Sequence, residues 1–322
     1  YGSVDRFKSE FGGVSVTHSQ ESLSSGGPYD SGFRYFLRAT NTSTSSATSA
    51  FLQMYQYIEA QNISTSGWKA NSSSSFINYS FWVRSSLAGT YFINLRSLDG
   101  TSQNFSSPVV LEAATWKKVS LSIPGNSGIT IANDNGQGLF VGIAPHYGTD
   151  YTTSGHTTGA WAAYSGSNIT PDYSQNWANT ASATFDITGI QLELGEQATP
   201  FEHRSFADEL HRCRRYTQVF LGDQNYSELG GTGIAYSTTN VDVPIQLIPQ
   251  MRSTPSLTNS GNLQASNAGS GYALTAISLV TQQSSKDVAS VRGTTSGMTA
   301  NTPHRIESQN NTTARVFLSA EL

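Results

Sequence analysis

Short apolar runs, each closed by Gly, Asn, Ser or Pro, recur along most of this 322-residue chain. Runs of this length with turn residues between them predict β-strands, and a regular series of such strands is typical of a sandwich or a barrel. In the first two thirds of the chain the runs are 33–37, 51–58, 76–84, 90–96, 108–112, 116–122, 138–144 and 183–194. We therefore predict an all-β fold that begins with a β-sandwich.

The last of these runs changes its apolar parity at a glycine. Phe185 and Ile187 fall on one face of a strand, whereas Ile190 and Leu192 fall on the other. Gly189 stands between the two sets, and a β-bulge at this point would turn both sets toward one core. The pattern therefore predicts a bulged strand.

One segment has a helical pattern instead, with Ser205 as its N-cap and Asp208 three residues later, as in a capping box. Apolar side chains follow at helical spacing and predict a packed stripe. The stripe consists of Phe206, Leu210, Cys213, Thr217 and Phe220. Beyond the helix the strand pattern resumes at 232–237, 241–248, 272–281, 287–292 and 314–321. We predict a β-sandwich over 1–204, a short connecting helix over 205–221 and a second β-domain over 222–322.

The composition excludes several classes of function. Charged residues make up only 12% of the chain and the net charge is -4, whereas a surface that tracks phosphates needs clustered Lys and Arg, so we expect no nucleic acid partner. Cys213 is the only cysteine in the sequence, which rules out an intrachain disulfide. No stretch approaches the roughly 20 apolar residues of a membrane span, so we expect no membrane insertion.

The segment 145–180 differs from the strands, because it has few aliphatic residues and many Tyr, Trp, Gly, Ser and Asn residues. It predicts a long loop outside the sandwich, and long ordered loops are often functional. Its candidate glycan-binding residues are Tyr147, Tyr151, Trp161, Tyr164, Tyr173 and Trp177, since exposed aromatic faces can stack on sugar rings. The alternative is that these rings pack the loop onto the sandwich or onto a neighbouring subunit.

A specific resemblance covers the link between the two β-domains. The link reads FDITGIQLELGEQATPFEHRSF over 185–206 and continues with Glu209, Leu210, Cys213 and Tyr216. It resembles the junction of a family of phage and marine-virus fibre and other virion proteins. The segments 4–7 (VDRF), 251–257 (MRSTPSL) and 317–322 (FLSAEL) resemble further motifs of that family, so the resemblance spans nearly the whole chain.

The resemblance implies that the first domain is a jelly roll similar to carbohydrate-binding modules. It implies a non-enzymatic structural protein of the phage virion, an extracellular particle made in the host cytoplasm. The chain would be a tail-fibre or capsid-fibre component that attaches to host-surface glycans. Its partners would be other virion proteins and further copies of itself, commonly as a homotrimer, and we expect the helix stripe and the strand at 241–248 to pack between subunits. Two alternatives stay open, namely a capsid decoration or cement protein without host binding and a depolymerase of surface polysaccharide.

The charged residues of the link favour a structural role. Phe201 can pack the chain back onto the sandwich, and Glu202, His203 and Arg204 can form charge-assisted hydrogen bonds that set the angle of the helix. We therefore predict an inter-domain elbow, with no catalytic residue and no metal site of recognisable spacing. The resemblance leaves one cofactor open, a structural calcium ion, for which oxygen donors would be Asp134, Asn135, Asp186, Glu193 and Glu196. The favoured alternative is that these Asp and Asn residues form turns.

Overall fold

A computed structural model describes residues 7–220 and 222–322 of the chain. The motif at 4–7 therefore lies outside the described residues, except for Phe7. The chain divides into two compact units, Tyr1–His203 with Leu322 and Arg204–Glu321. Each unit contains its own hydrophobic core.

Most of the regular structure in the first unit is β-strand. In chain order its described strands are β1 (Lys8–Gly12), β2 (Val16–Ser22), β3 (Tyr35–Asn41), β4 (Phe51–Glu59), β5 (Phe76–Ser85), β6 (Gly89–Ser97), β7 (Gln103–Leu111), β8 (Lys117–Pro124), β9 (Gln137–Tyr147), β10 (Trp161–Ala163) and β11 (Thr184–Leu194). Two short helices, α1 (Gly27–Asp30) and α2 (Ala60–Ser64), lie between strands.

These strands form two antiparallel sheets that share one core. The first sheet has the order β1-β4-β9-β6-β7-β10, and the second has the order β2-β3-β11-β5-β8. Many neighbours within a sheet are distant in sequence, because the chain crosses repeatedly from one sheet to the other, as in a jelly roll. The first unit is thus a jelly-roll β-sandwich and the chain is all-β, as predicted.

Alternation along the strands builds the core between the sheets. Leu52 and Met54 of β4 face the same apolar cluster as Phe81 and Val83 of β5, and all four are buried. Successive side chains of a strand point to opposite faces. Gln53, between two core residues of β4, therefore points away from the core.

The predicted bulge in β11 is confirmed. β11 pairs with β5, and the register of this pair shifts between Thr188 and Gln191. Gly189 lies within the shift and has a φ of 62°, a left-handed conformation that glycine adopts without steric cost. Ile187 before the bulge and Ile190 after it both pack against the sandwich core, because the extra residue restores their common direction.

The second unit starts with the helix α3 (Phe206–Arg214) and continues as strands. Its described strands are β12 (Thr217–Phe220), β13 (Glu228–Ala235), β14 (Asn240–Gln246), β15 (Ser256–Ser260), β16 (Leu263–Asn267), β17 (Ser270–Ala273), β18 (Ala276–Leu279), β19 (Val288–Thr294), β20 (Thr302–Ser308) and β21 (Arg315–Ser319), with a 3-10 helix at Thr281–Gln283. They form one sheet of order β12-β21-β15 and another of order β17-β16-β20-β13-β14-β19-β18.

The helix is shorter than the predicted 205–221. Its N-cap is as expected, because the Ser205 hydroxyl accepts a hydrogen bond of 3.2 Å from the Asp208 amide. It ends at Arg214, however, and Thr217–Phe220 forms β12, which pairs with β21. The β-branched Thr217 and Val219 favour a strand once β21 offers a hydrogen-bonding partner, so the helical spacing of the last two stripe positions was coincidental.

Packing of the helix stripe between subunits stays a prediction, whereas the role expected of the strand at 241–248 needs correction. No described residue of α3 is buried within the chain, and Phe206 is 82% exposed. Leu210 is exposed and Cys213 is half-buried, whereas Phe220 packs from β12 against the core of the second unit. In the run at 241–248, Val241, Val243, Ile245 and Leu247 are buried in that same core and are not free to pack between subunits, whereas Ile248 is 68% exposed.

Candidate functional site

The outer face of the six-stranded sheet carries a distinct set of side chains. Its adjacent strands β4, β9 and β6 contribute Gln53, Phe140 and Asn94, each of which stands between two residues buried in the sandwich core. Arg96 shares the face of Asn94, because it follows two residues later on β6. Three strands far apart in sequence thereby place polar and aromatic groups side by side on one surface.

The predicted loop covers part of this surface. The strand β10 within it pairs with β7 at the edge of the sheet, and the Tyr164 amide donates a hydrogen bond of 2.9 Å to the carbonyl of Ser102. The Asn104 amide group donates one of 2.9 Å to the carbonyl of Ile169. His156 lies 2.7 Å from the Ser106 hydroxyl through its Nε2 atom. These contacts fix the loop to the sheet.

Between the sheet and the loop lies a cavity of about 190 Å³. Six of its lining residues come from the sheet and four from the loop. The lining residues are Phe51, Gln53, Asn94, Arg96, Phe140, Tyr147, Tyr151, Tyr164, Gly166 and Ile169. Half of these residues are aromatic, and apart from the tyrosine hydroxyls the polar side chains are the amides of Gln53 and Asn94 and the guanidinium of Arg96.

Two polar groups of the cavity lack hydrogen-bond partners among the described residues. Asn94 is 3% exposed, and its Nδ2 atom has no acceptor. The buried Nε atom of Arg96 has none either. The guanidinium carbon lies 4.4 Å from the ring centroid of Tyr164 and 5.4 Å from that of Phe140, a cation–π arrangement. Buried hydrogen-bond donors usually have an acceptor. The unpaired Nδ2 of Asn94 and Nε of Arg96 are therefore suited to a ligand that supplies acceptors.

A hydrogen-bonded chain fixes one wall of the cavity. The hydroxyl of Tyr147 donates to Oε1 of Gln53, and the Gln53 amide donates a hydrogen bond of 3.0 Å to Oε2 of Glu10. The Tyr55 hydroxyl donates to the same carboxylate oxygen at 2.9 Å. Burial is the main cause that raises the pKa of Tyr147 far above its ordinary value, so its phenol is neutral and remains a donor at physiological pH.

Tyr173 and His146 support the cavity from the side. The Tyr173 hydroxyl donates a hydrogen bond of 2.9 Å to the carbonyl of Ala144, and its ring centroid lies 5.6 Å from that of His146 and 5.0 Å from that of Phe92. Burial lowers the pKa of His146 to about 4. Nδ1 of this histidine is buried and has no partner among the described residues, so the imidazole is neutral near pH 7.

The six predicted aromatic residues have three different positions. Tyr147, Tyr151 and Tyr164 line the cavity, and Tyr173 packs beside it. Trp161 and Trp177 are buried in the sandwich core. The Trp161 indole N–H donates a hydrogen bond of 2.7 Å to the carbonyl of Pro124, and Trp177 is 0% exposed. For these two tryptophans the packing alternative applies, because a ring buried in the core offers no face to a sugar.

Five of the six sheet residues that line the cavity were not predicted. Phe51, Gln53, Asn94, Arg96 and Phe140 stand on β4, β6 and β9. A signal was present in β6, because its run TYFINLR places Asn and Arg on the face opposite to its core residues. Two polar side chains at alternate positions, both on the same face of an otherwise apolar strand, indicate that this face does not pack in a core.

The link residues hold the end of the first unit against its own sandwich. The rings of Phe201 and His203 lie 4.8 and 5.3 Å from that of Phe33. The Glu202 amide donates a hydrogen bond of 2.9 Å to Gln191. Arg204 belongs to the second unit and forms an exposed ion pair of 3.4 Å with Glu209. A role for the four residues in setting an inter-domain angle stays a prediction.

The carboxylates of Asp186 and Asp134, two of the residues considered for calcium, accept hydrogen bonds within the protein. Asp186 is 1% exposed, and its carboxylate accepts hydrogen bonds from the guanidinium groups of Arg38 and Arg84. Oδ1 of Asp134 accepts a hydrogen bond of 2.8 Å from the amide of Gly136, as in a turn. Over 7–220 and 222–322, His, Cys, Asp and Glu side chains form no group of three or more that could hold a metal ion. A structural calcium ion therefore stays a prediction.

Among the same residues, no helix has the length and apolar character needed to cross a membrane.

Comparisons with known proteins identify no family. No protein-family model matches the chain, and no curated protein matches it. Solved structures with a similar fold include the family 11 carbohydrate-binding module from Clostridium thermocellum in complex with a β-1,3-1,4-mixed-linked tetrasaccharide. That structure is 12% identical, covers 60% of this chain and 91% of its own, and has a TM-score of 0.31.

Two further structures contain modules of family 22. The CBM22-1-CBM22-2 tandem domain of Xyn10C from Paenibacillus barcinonensis is 12% identical, covers 100% of this chain and 95% of its own, and has a TM-score of 0.31. The CBM22-1-GH10 modules of Xyn10B from Clostridium thermocellum, complexed with xylohexaose, are 11% identical to this chain. The match covers 62% of this chain and 28% of that one, with a TM-score of 0.32. With TM-scores below 0.5, the ligands of these modules say nothing about the ligand of this chain.

Proposed function

We propose that the first unit binds a carbohydrate, without catalysis, in the cavity between β4, β9, β6 and the loop. The observation that carries this proposal is the combination of aromatic walls with the buried, unpaired Nδ2 atom of Asn94. A sugar ring has apolar C–H faces and a rim of hydroxyl groups. It can therefore place its faces against Tyr151 and Tyr164 and a hydroxyl oxygen against the amide.

The size of the cavity supports recognition of one sugar unit. Its volume of about 190 Å³ is below the roughly 300–1,000 Å³ of pockets that enclose a drug-sized ligand. A single pyranose ring would fill it, while neighbouring units of a polysaccharide would remain in solvent. Such a contact is small, so we expect the affinity of one site to be weak.

The chemistry of the lining favours binding over hydrolysis. Most glycoside hydrolases need two carboxyl groups on either side of the scissile bond. None of the ten lining residues is Asp or Glu, and the nearby Glu10 carboxylate is engaged by Gln53 and Tyr55. The absence of a free carboxylate pair among the lining residues speaks against a depolymerase at this site.

The wider role that we propose is host attachment by a phage tail or capsid fibre. The support for it is the resemblance of the link at 185–206, and the expected homotrimer would present several weak sites at once. Several linked weak sites give an avidity that exceeds the affinity of one site by about 10²–10⁴.

Binding of the full chain to a glycan array is the direct test. We expect retained glycans, and we expect Tyr151→Ala and Tyr164→Ala each to weaken binding about tenfold, which corresponds to about 1.4 kcal/mol. Tyr35→Ala is the matched control, because Tyr35 is an exposed tyrosine on β3 of the other sheet. Equal losses in all three variants, or no retained glycan, would contradict the proposed site.

The position of this chain on the phage particle distinguishes a fibre component from a cement protein. Antibody labelling of phage particles that contain this chain should place it on tail or capsid fibres. Labelling over the capsid lattice, together with no glycan binding, would favour the cement alternative. Release of reducing ends from host polysaccharide by the purified chain would favour the depolymerase.

A further inference from the structure

Arg96 is the one charged residue among the ten that line the cavity. It forms no ion pair with any residue of the described parts of the chain, whereas other partly covered arginines do. Arg38 and Arg84 share Asp186, and Arg292 pairs with Asp242 at 2.7 Å. A partly buried cation without an anion is unusual, because its desolvation is not offset.

No hydrogen bond or ion pair within the described protein engages the guanidinium of Arg96. The group is held against the ring faces of Tyr164 and Phe140, and ring stacking occupies the flat surface of a guanidinium rather than its N–H edge. The Nε atom on that edge is buried and has no acceptor in the described protein. A planar group with two oxygen acceptors fits such an edge through parallel charge-assisted hydrogen bonds.

Asn94 adds a second donor on the same side. It stands two residues before Arg96 on β6, about 6.6 Å along the strand at the usual rise per residue. Its unpaired atom is Nδ2, which can only donate. The two unsatisfied groups of the cavity therefore both require acceptors, at a separation within the width of a single sugar ring and its substituents.

We propose that the cavity selects an acidic sugar, a monosaccharide unit that carries a carboxylate, such as a hexuronate within a polysaccharide. The carboxylate pairs with the guanidinium edge of Arg96, a hydroxyl or ring oxygen accepts from Asn94, and the tyrosines cover the ring. This inference rests on the proposed carbohydrate binding and adds the chemical class of the ligand.

The experiment compares matched acidic and neutral ligands on the full chain by isothermal titration calorimetry. The acidic probes are oligogalacturonate, oligomannuronate, a hyaluronan tetrasaccharide and sialyllactose, and each neutral probe is the same oligosaccharide after reduction of its carboxyl groups to alcohols. We expect at least one acidic probe to bind ten times or more tighter than its reduced form. Its affinity should fall as salt rises from about 10 mM to about 150 mM, because the Debye length shortens from about 30 to about 8 Å.

Substitutions assign the preference to Arg96. Arg96→Gln should remove the preference for the acidic probe, and Arg96→Lys, which keeps the charge but loses the fork, should retain part of it. Arg34→Gln is the control, because Arg34 also lies over a tyrosine ring, that of Tyr29 at 4.2 Å, but does not line the cavity. Native tryptophan fluorescence of each variant shows whether the first unit is folded.

The outcomes separate this inference from the proposed function. Equal binding of the acidic and reduced probes, or a preference that survives in Arg96→Gln, would overturn the acidic ligand and leave carbohydrate binding in place. Absence of binding to every probe, acidic or neutral, would overturn both.

Discussion

His146 beside the cavity should make the stability of the first unit depend on pH. Its pKa is lowered to about 4 by burial, whereas an unfolded histidine has a pKa near 6.5. Between these two values the unfolded chain binds a proton at this residue and the folded chain does not. The free energy of unfolding therefore falls as the pH is lowered through this window. The stability that depends on a neutral His146 is fully present above about pH 6.5 and mostly lost near pH 4.

The size of the effect follows from the difference of about 2.5 between the two pKa values. At 1.36 kcal/mol for each pKa unit, the loss between about pH 7 and about pH 4 is at most about 3 kcal/mol. His146→Gln removes the titrating group. We therefore expect the wild type to lose up to about 3 kcal/mol more than this variant over the same pH range, since contributions of other groups cancel in the difference.

Urea unfolding followed by tryptophan fluorescence measures this difference in the first unit alone. All five tryptophans, Trp68, Trp82, Trp116, Trp161 and Trp177, lie in that unit. His203→Gln is the control for loss of an imidazole, because His203 is an exposed histidine of the same unit. If His146→Gln unfolds with the same pH dependence as the wild type, burial does not lower the pKa of this imidazole.

Two further substitutions test how the sandwich is held together, and the same fluorescence assay measures both. Asp186→Asn should destabilise the first unit by about 3 kcal/mol, because it leaves two guanidinium groups beside a neutral amide. The two arginine side chains are 24–29% exposed, so we expect a loss at the lower end of the range for a broken buried ion pair. An unchanged urea midpoint would contradict a stabilising role for this cluster. Gly189→Ala should lower the free energy of unfolding by about 1–3 kcal/mol, because a Cβ atom there would lie 2.5 Å from Cζ of Phe33 and the φ is 62°. Gly166→Ala is the control, because a Cβ atom at Gly166 meets nothing closer than 3.7 Å. This variant should lose less stability than Gly189→Ala.

The fold could be predicted where one face of a strand is apolar. The run at 76–84 corresponds to Phe76–Ser85, and the change of parity at Gly189 located the bulge. Strands with polar residues on both faces were missed. Val16–Ser22 reads VTHSQES, and it is a strand because it pairs with Tyr35–Asn41, a tertiary interaction that leaves no pattern in the strand's own sequence.

The helix shows the opposite error, in which a local pattern extended too far. Ser205 and Asp208 correctly located its start, because an N-cap is a short-range interaction. Its end depends on β21, which lies about 100 residues later and pairs with Thr217–Phe220. A spacing of three or four residues cannot distinguish a helix from a strand when the partner of that strand is distant in sequence.

The candidate site divides in the same way between local and distant information. Its loop half could be predicted, because the density of tyrosines in 145–180 is a property of one segment. Its floor could not, since Gln53, Asn94 and Phe140 become neighbours only through the order β4-β9-β6. The unpaired donors, which decide what the cavity can bind, belong to that floor. The composition of the loop therefore indicates that a sugar could stack here. An acidic sugar is expected only because the strand order places Arg96 beneath Tyr164 without a carboxylate partner in the described protein.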